Sequence, residues 1–161
     1  MRCFDKLSTS GFLFMIVDLP DLEAMADLGT RIADQLRPGD VVALSGGLGA
    51  GKTTLARGII AALGHEGEVP SPTFTIVEAY SPPDVRLPLV HADFYRLDRP
   101  AEADELGLDD YREGAALIAE WPEHVGGFAI EPGCLAIALE IAGDGRRAIV
   151  EPGQGWLGRL P

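Results

Sequence analysis

Residues 41–54 read VVALSGGLGAGKTT, and this stretch decides the fold. Its first four residues, Val41–Leu44, form a short, wholly apolar run, the kind of strand that is buried on both faces of a parallel sheet. The segment that follows, from Gly46 to Thr53, fits the phosphate-binding pattern G-x-x-x-x-G-K-[ST] at every defined position. A second helix is predicted directly after it, over residues 51–63. A strand, a glycine-rich loop and a helix in this order predict an α/β protein that binds a nucleoside triphosphate.

The glycine-rich loop, residues 46–53, has the composition that phosphate binding requires. Glycines such as Gly46, Gly49 and Gly51 let successive backbone N–H groups turn inward and surround an anion. The helix that follows directs its N-terminal dipole at the same phosphates. We expect Lys52 to reach the β- and γ-phosphates and the Thr53 hydroxyl to hold Mg²⁺.

Two acidic residues end other predicted strands. Glu120 comes directly after the apolar run at residues 115–119. It is either the second acid of a magnesium site or a strand-terminal surface glutamate, and the phosphate-binding pattern favours the magnesium role. Asp93 lies at the edge where α/β sheets bind ligands. Two roles stay open for it, ordering a water beside the phosphates or capping a turn. His91 is interpreted as a structural histidine, and Arg96 as one half of a surface ion pair.

The rest of the chain predicts one α/β domain with layered helices and sheet. Residues 1–14 carry little pattern and are interpreted as an extension, either disordered or preceding a true start at Met15, and residues 15–161 as a single domain. We expect the tail around Trp156 to pack on the surface. The other predicted elements are a strand over 11–17, a helix from Pro20 and Asp21 to Leu36, strands over 71–80, 87–91 and 115–119, a helical or looped acidic segment over 100–114, and a hairpin with arms at 135–141 and 147–150.

Composition narrows the functional classes. The net charge is −12 and the chain has only two lysines, Lys6 and Lys52. Autonomous binding of RNA or DNA normally needs a basic patch, so any contact with nucleic acid is expected to be indirect, through a protein partner. No apolar run reaches the ~20 residues that span a bilayer. The two cysteines, Cys3 and Cys134, form no metal-binding pattern. These features predict a cytoplasmic protein that does not associate with membranes.

Three classes of phosphate-loop protein compete. A GTPase should carry an Asn-Lys-x-Asp motif for guanine, and this chain contains no asparagine. A small-molecule kinase needs basic side chains for its acceptor, commonly on a lid, and no arginine-rich segment would serve. An ATPase that acts on a protein partner needs little beyond the loop, an acid for the metal and a movable segment. The ATPase is favoured, and the small-molecule kinase stays as the alternative.

Four motifs in series resemble one known family. They occur in a fixed order at Gly46–Thr54, Ser71–Thr75, His91–Leu97 and Glu120–Pro122. Together they are similar to the TsaE (YjeE) family, the bacterial ATPase of tRNA threonylcarbamoyladenosine biosynthesis. The resemblance covers roughly Leu19 to Ile141, and the four motifs are far more specific than the loop alone.

The resemblance implies a P-loop NTPase three-layer fold with a mixed, partly antiparallel sheet. It also implies an ATPase that works with the TsaD–TsaB transferase pair, while TsaC makes the threonylcarbamoyl-adenylate. The product is a modified adenosine next to the anticodon of tRNA.

Residue roles follow from the same resemblance. The segment Gly49–Thr54, which includes Ala50 and Thr54, binds ATP in that family. The residues matching Thr53 and Glu120 hold magnesium, and the aspartate matching Asp93 is needed for activity. The stretch at 71–75 resembles a switch-like loop there. Because the first helix approaches the nucleotide in the family, Leu22 is a candidate on the adenine side.

Overall fold

The structure is a computed structural model that describes the strand Phe4–Leu7 and residues 11–161. Eight strands and four helices follow one another along this part of the chain. The strands are β1 Phe4–Leu7, β2 Leu13–Leu19, β3 Val41–Ser45, β4 Val77–Tyr80, β5 Leu89–Asp93, β6 Ala116–Glu120, β7 Cys134–Ala142 and β8 Gly145–Pro152. The helices are α1 Leu22–Gln35, α2 Lys52–Ala62, α3 Pro100–Glu105 and α4 Leu108–Arg112, with short 3₁₀ turns at Pro122–Val125 and Gln154–Trp156.

All eight strands join one mixed sheet in the order β1-β2-β8-β7-β3-β6-β5-β4. The four consecutive strands β7, β3, β6 and β5 are parallel to one another. Antiparallel strands extend the sheet on both sides, with β4 beside β5 and the run β8, β2, β1 beside β7. The prediction of an α/β fold with a mixed, partly antiparallel sheet is therefore confirmed.

Two apolar clusters cover the two faces of the sheet. In β3, Val42 and Leu44 pack in one cluster with residues of α1 and α2, such as Leu28 and Ile59. The alternate residues Val41 and Ala43 pack in the other cluster with residues of α3 and α4. This alternation follows from the two-residue period of a strand. Helices on both faces produce three layers and bury the middle of the sheet completely.

The first helix begins where the sequence predicts. Asp21 is its N-cap, and its side chain accepts a hydrogen bond of 2.8 Å from the backbone N–H of Ala24. Such a cap satisfies one of the donors that the first turn leaves without a partner. The predicted strand at 41–44, the helix at 51–63, the strand at 115–119 and the C-terminal hairpin are likewise confirmed, with ends that differ by a few residues.

Two predicted features differ in the structure. The strand expected over 71–80 is limited to Val77–Tyr80, because the preceding residues fold into turns in which Ile76 N–H donates to Pro72 O over 2.6 Å. The tail is more than a surface segment, since Trp156 is fully buried in the core and donates through Nε1 to Gly133 O.

The predicted extension over residues 1–14 is described only in part. Phe4–Leu7 pairs as a strand with the N-terminal half of β2. Residues 1–3 and 8–10 lie outside the described residues. Among the described residues, none of the helices has the length and apolar character needed to cross a membrane.

Candidate functional site

The glycine-rich loop connects the carboxyl end of β3 to the start of α2. Gly46, Gly49 and Gly51 have positive φ angles of 138°, 76° and 106°, a region that side chains with a Cβ rarely adopt. A Cβ on Gly46 would collide with the carbonyl oxygen of Leu139, and one on Gly51 would lie 2.9 Å from the Met25 Cε. Conformation therefore favours glycine at all three points, and at Gly46 the nearby backbone also leaves no space for a side chain.

Lys52 begins α2 and turns back over the loop. Its Nζ donates to the carbonyl oxygens of Gly46 and Gly47, both at 2.7 Å, and lies 4.3 Å from the centre of the Trp121 ring. Burial lowers the pKa of Lys52, and the charges of nearby carboxylates, including Glu120 and Asp93, partly oppose that shift. The ammonium group is thus a desolvated cation placed at the centre of the loop.

Thr53 and Glu120 meet directly beside that lysine. The Thr53 hydroxyl donates to Glu120 Oε1 over 2.6 Å, although 67 residues separate the two in sequence. Glu120 ends β6 and is 1% exposed. Its second oxygen, Oε2, lies 2.7 Å from Nε2 of the fully buried His91. The carboxylate is therefore held by one neighbour at each oxygen.

Asp93 ends β5 level with Glu120 in the adjacent parallel strand. Its Oδ1 accepts from the backbone N–H of Tyr95 and its Oδ2 from the hydroxyl of Thr73, both over 3.0 Å. The Thr73 hydroxyl in turn lies 2.8 Å from that of Ser71. Asp93 thus has the turn contact that the sequence left open, and it also faces the cavity described next.

A cavity of about 470 Å³ lies between the loop, α1 and the ends of β5 and β6. Most of the residues predicted from the sequence line it, and Gly46 and Ala50 do not. The predicted lining residues are Leu22, Gly49, Gly51, Lys52, Thr53, Thr54, Asp93 and Glu120. Leu22 is 76% exposed and forms an apolar wall with Leu19 and Met25 at the start of α1. The structure therefore brings together residues that lie up to 98 positions apart in the chain (Leu22 to Glu120).

Trp121 and Arg146 also line the cavity, and neither was predicted from the sequence to act there. Trp121 has a positive φ of 56° and places its ring against Lys52. Arg146 is the second residue of the strand β8 and donates to Gly49 O over 3.0 Å. No local signal marks this arginine, because only the pairing of β8 within the sheet brings it near the loop. Arg96 lies over the exposed ring of Phe74, at 4.3 Å, in place of the expected ion pair.

The residues present suit a triphosphate and a magnesium ion. Thr53 and Glu120 offer two oxygen donors 2.6 Å apart, and Mg²⁺ typically takes one or two protein oxygens while phosphate and water complete its shell. Among the described residues no group of three or more His, Cys, Asp or Glu side chains forms a complete metal site. A cation here would thus need further ligands from phosphate or water. The neighbouring loop and Lys52 are placed to hold such a phosphate.

Comparison with known proteins decides the family. A family model described as threonylcarbamoyl adenosine biosynthesis protein TsaE matches residues 19–149. The chain belongs to the TsaE family. This membership supports a role in tRNA threonylcarbamoyladenosine biosynthesis.

Curated relatives and a solved structure agree with this assignment. The TsaE protein of Mycobacterium tuberculosis is 46% identical over 112 residues, which cover 65% of this chain and 67% of the relative. The TsaE protein of Bacillus subtilis is 40% identical over 134 residues, which cover 83% and 80%. The crystal structure of Bacillus subtilis YdiB superposes with a TM-score of 0.66 at 34% identity and covers 86% of this chain and 85% of that one.

Proposed function

We propose that this TsaE-family protein is a magnesium-dependent ATPase with a P-loop NTPase fold. In this proposal it acts on the TsaD–TsaB transferase complex and supports threonylcarbamoyl modification of the adenosine next to the tRNA anticodon. The observation that carries the proposal is the convergence of Lys52, Thr53, Asp93 and Glu120 on one cavity beside the glycine-rich loop.

Each of these residues has a distinct part. The backbone N–H groups of the loop and the Lys52 ammonium bind the β- and γ-phosphates and neutralise their charge. Thr53 and Glu120 hold Mg²⁺, which offsets negative charge on the phosphate oxygens when bound. Asp93 accepts a hydrogen bond from the attacking water and orients it toward the γ-phosphorus. The apolar wall at Leu22 receives the adenine ring.

The choice of ATP and of a protein partner rests on further features. The absence of asparagine removes the usual guanine-reading motif, which supports ATP over GTP. The net charge of −12 disfavours direct binding of tRNA. A protein complex that itself holds the tRNA is a better match for an acidic surface, and the names of the relatives point to the same pathway.

Reconstitution tests the proposal. The protein is mixed with TsaD, TsaB, tRNA and threonylcarbamoyl-adenylate, with ATP and Mg²⁺ present. We expect a nucleotide-dependent complex on size-exclusion chromatography and more than one round of tRNA modification per transferase. The Lys52→Ala variant should lose the repeated rounds, whereas Arg99→Ala, an exposed cation that does not line the cavity, should keep them. Absence of both complex and repeated modification with the unaltered protein would refute the proposal.

A further inference from the structure

His91 is the one histidine in the sheet interior, on the strand β5 between β4 and β6. Its side chain is fully buried, and Nε2 lies 2.7 Å from Oε2 of Glu120. The other ring nitrogen, Nδ1, is buried without a hydrogen-bond partner among the described residues. Within the described residues, the hydrogen bond to Glu120 is therefore the one polar contact of the His91 ring.

The position of His91 in the sheet explains that contact. In the parallel pair of β5 and β6, Asp93 is level with Glu120 and His91 is level with Ile118. His91 thus lies on the same face of the sheet as Glu120, two residues further from the carboxyl end of the parallel strands. From there the imidazole Nε2 forms a hydrogen bond with Oε2 of the carboxylate. The other oxygen, Oε1, accepts the hydrogen bond from Thr53 at the cavity.

A purely structural role accounts poorly for a histidine here. Leu89 and Ile118 lie beside it on this face and Glu78 of β4 is level with it, and an aliphatic residue would fill the space without burying an unpartnered nitrogen. A buried polar atom without a partner is destabilising. What the imidazole adds, relative to an aliphatic side chain, is a hydrogen bond to one defined carboxylate oxygen.

We propose that His91 is a positioning residue that holds the Glu120 carboxylate in the orientation needed to bind Mg²⁺ together with Thr53. This inference rests on the proposed function, because it assigns a role toward the same metal. A glutamate side chain has three rotatable bonds, and the bond from His91 restricts them before the cation arrives. Residues that fix the orientation of a metal ligand in this way typically change metal affinity by 10–100-fold when they are removed.

The experiment measures the Mg²⁺ concentration that gives half of the maximal enhancement of ATP binding, together with ATP affinity in EDTA. His91→Leu removes the hydrogen bond, and His91→Gln places an amide N–H at about the position of Nε2. We expect His91→Leu to raise the half-saturating Mg²⁺ concentration by about 10-fold or more. His91→Gln should stay close to the unaltered protein, and affinity in EDTA should be the same for all three.

Val90→Ala is the matched control for a general loss of packing. Val90 precedes His91 on β5, is also buried, and faces the opposite layer of the core. This variant should lower the melting temperature and leave the Mg²⁺ requirement unchanged. If His91→Leu does not fold, His91→Asn replaces it, because its shorter amide does not reach Glu120 while it remains polar.

Two results would overturn the inference and are distinguishable. If the unaltered protein requires Mg²⁺ for tight ATP binding and His91→Leu shows the same requirement, His91 does not position the ligand, and the proposed function stands. If the unaltered protein shows no magnesium dependence, the metal site of the proposed function fails, and the inference fails with it.

Discussion

Lys52 is held by backbone carbonyls and an indole ring, although the carboxylates of Asp93 and Glu120 line the same cavity. A phosphate entering the loop offers this ammonium stronger acceptors than the carbonyl oxygens of Gly46 and Gly47, because both partners of the new bond are charged. Lys52 is therefore the residue whose contacts change most directly when a triphosphate binds.

Replacing Lys52 by alanine should weaken ATP binding by about 10- to 100-fold, the effect of losing a charge-assisted hydrogen bond. The loss should be similar with and without Mg²⁺, because the lysine is not a ligand of the cation. Isothermal titration calorimetry measures both affinities, with Arg99→Ala as the control. An affinity within threefold of that of the unaltered protein would show that Lys52 does not contact the phosphates.

Glu120→Gln should weaken Mg²⁺ binding and leave the binding of phosphate by the glycine-rich loop unchanged. The substitution preserves the size of the side chain and one acceptor oxygen, but it removes the charge that attracts Mg²⁺. We expect the magnesium dependence of ATP binding to be largely lost, while affinity in EDTA is kept. The same calorimetric titrations with and without Mg²⁺ test this, and an equal loss under both conditions would contradict a metal-binding role.

Asp93→Asn should separate turnover from binding. The amide can keep one contact, to Thr73 or Tyr95, but cannot accept a proton or orient a water as a carboxylate does. ATP affinity should remain within about threefold and hydrolysis should fall by about 100-fold or more, the contribution typical of such a group. Steady-state release of phosphate at saturating ATP measures the turnover. Loss of binding in the same proportion would show that Asp93 serves the structure of the turn.

At the scale of elements, the C-terminal tail is tied to the sheet by a buried ion pair. Arg159 donates to both oxygens of Asp40 at 2.6 Å and also to the carbonyl oxygen of Gln35 at the end of α1. Its guanidinium lies 4.2 Å from the centre of the Trp156 ring. The tail therefore connects the end of α1 to the start of β3.

Breaking one side of this pair should destabilise the protein more than removing both. Arg159→Leu leaves the Asp40 carboxylate buried without its main partner, which costs about 3–5 kcal/mol of unfolding free energy. The double variant Asp40→Asn with Arg159→Leu should recover part of that loss. Urea unfolding followed by circular dichroism measures the difference. Equal stability of the single and double variants would show that the two charges are not coupled.

The sequence predicts the elements whose signals are local. The strand at Val41–Ser45 and the helix at Lys52–Ala62 follow from an apolar run and a motif with fixed chemistry, and both are confirmed. The turns at residues 72–76 were predicted as strand because β-branched and aromatic residues favour strands on average. Here the Pro72–Ile76 hydrogen bond and the contact of Thr73 with Asp93 determine the local conformation.

Parts of the candidate site depend on long-range contacts and could not be predicted in the same way. The sequence places Glu120 and Asp93 at strand ends, and adjacent parallel strands bring them level with each other. The approach of Arg146 to Gly49 and the burial of Trp156 depend on which strands pair at the far side of the sheet. Periodicity within one segment carries no information about that pairing.

At the scale of the whole molecule, ligand binding and stability are linked. A nucleotide that binds the folded chain alone should stabilise it by about 2.7 kcal/mol at a concentration 100 times its dissociation constant. For a protein of this size that corresponds to a rise in melting temperature of roughly 5–10 °C. Thermal melts with ATP, ADP and GTP, each with and without Mg²⁺, measure the effect. We expect the largest shift with ATP and Mg²⁺, and an equal shift with GTP would contradict the proposed preference for adenine.

The strand β2 pairs with β8 and not with the strand that follows it in the chain, so the two ends of the sequence meet late during synthesis. A ribosome adds roughly 5–20 residues per second, so the synthesis of β8 is complete on the order of ten seconds after that of β2. Leu19 and Arg146, one from each of these strands, are level with each other in the pair, and both line the cavity. A nascent chain that has already exposed its glycine-rich loop therefore lacks the lining that β8 contributes, and the complete cavity exists only after translation has passed β8.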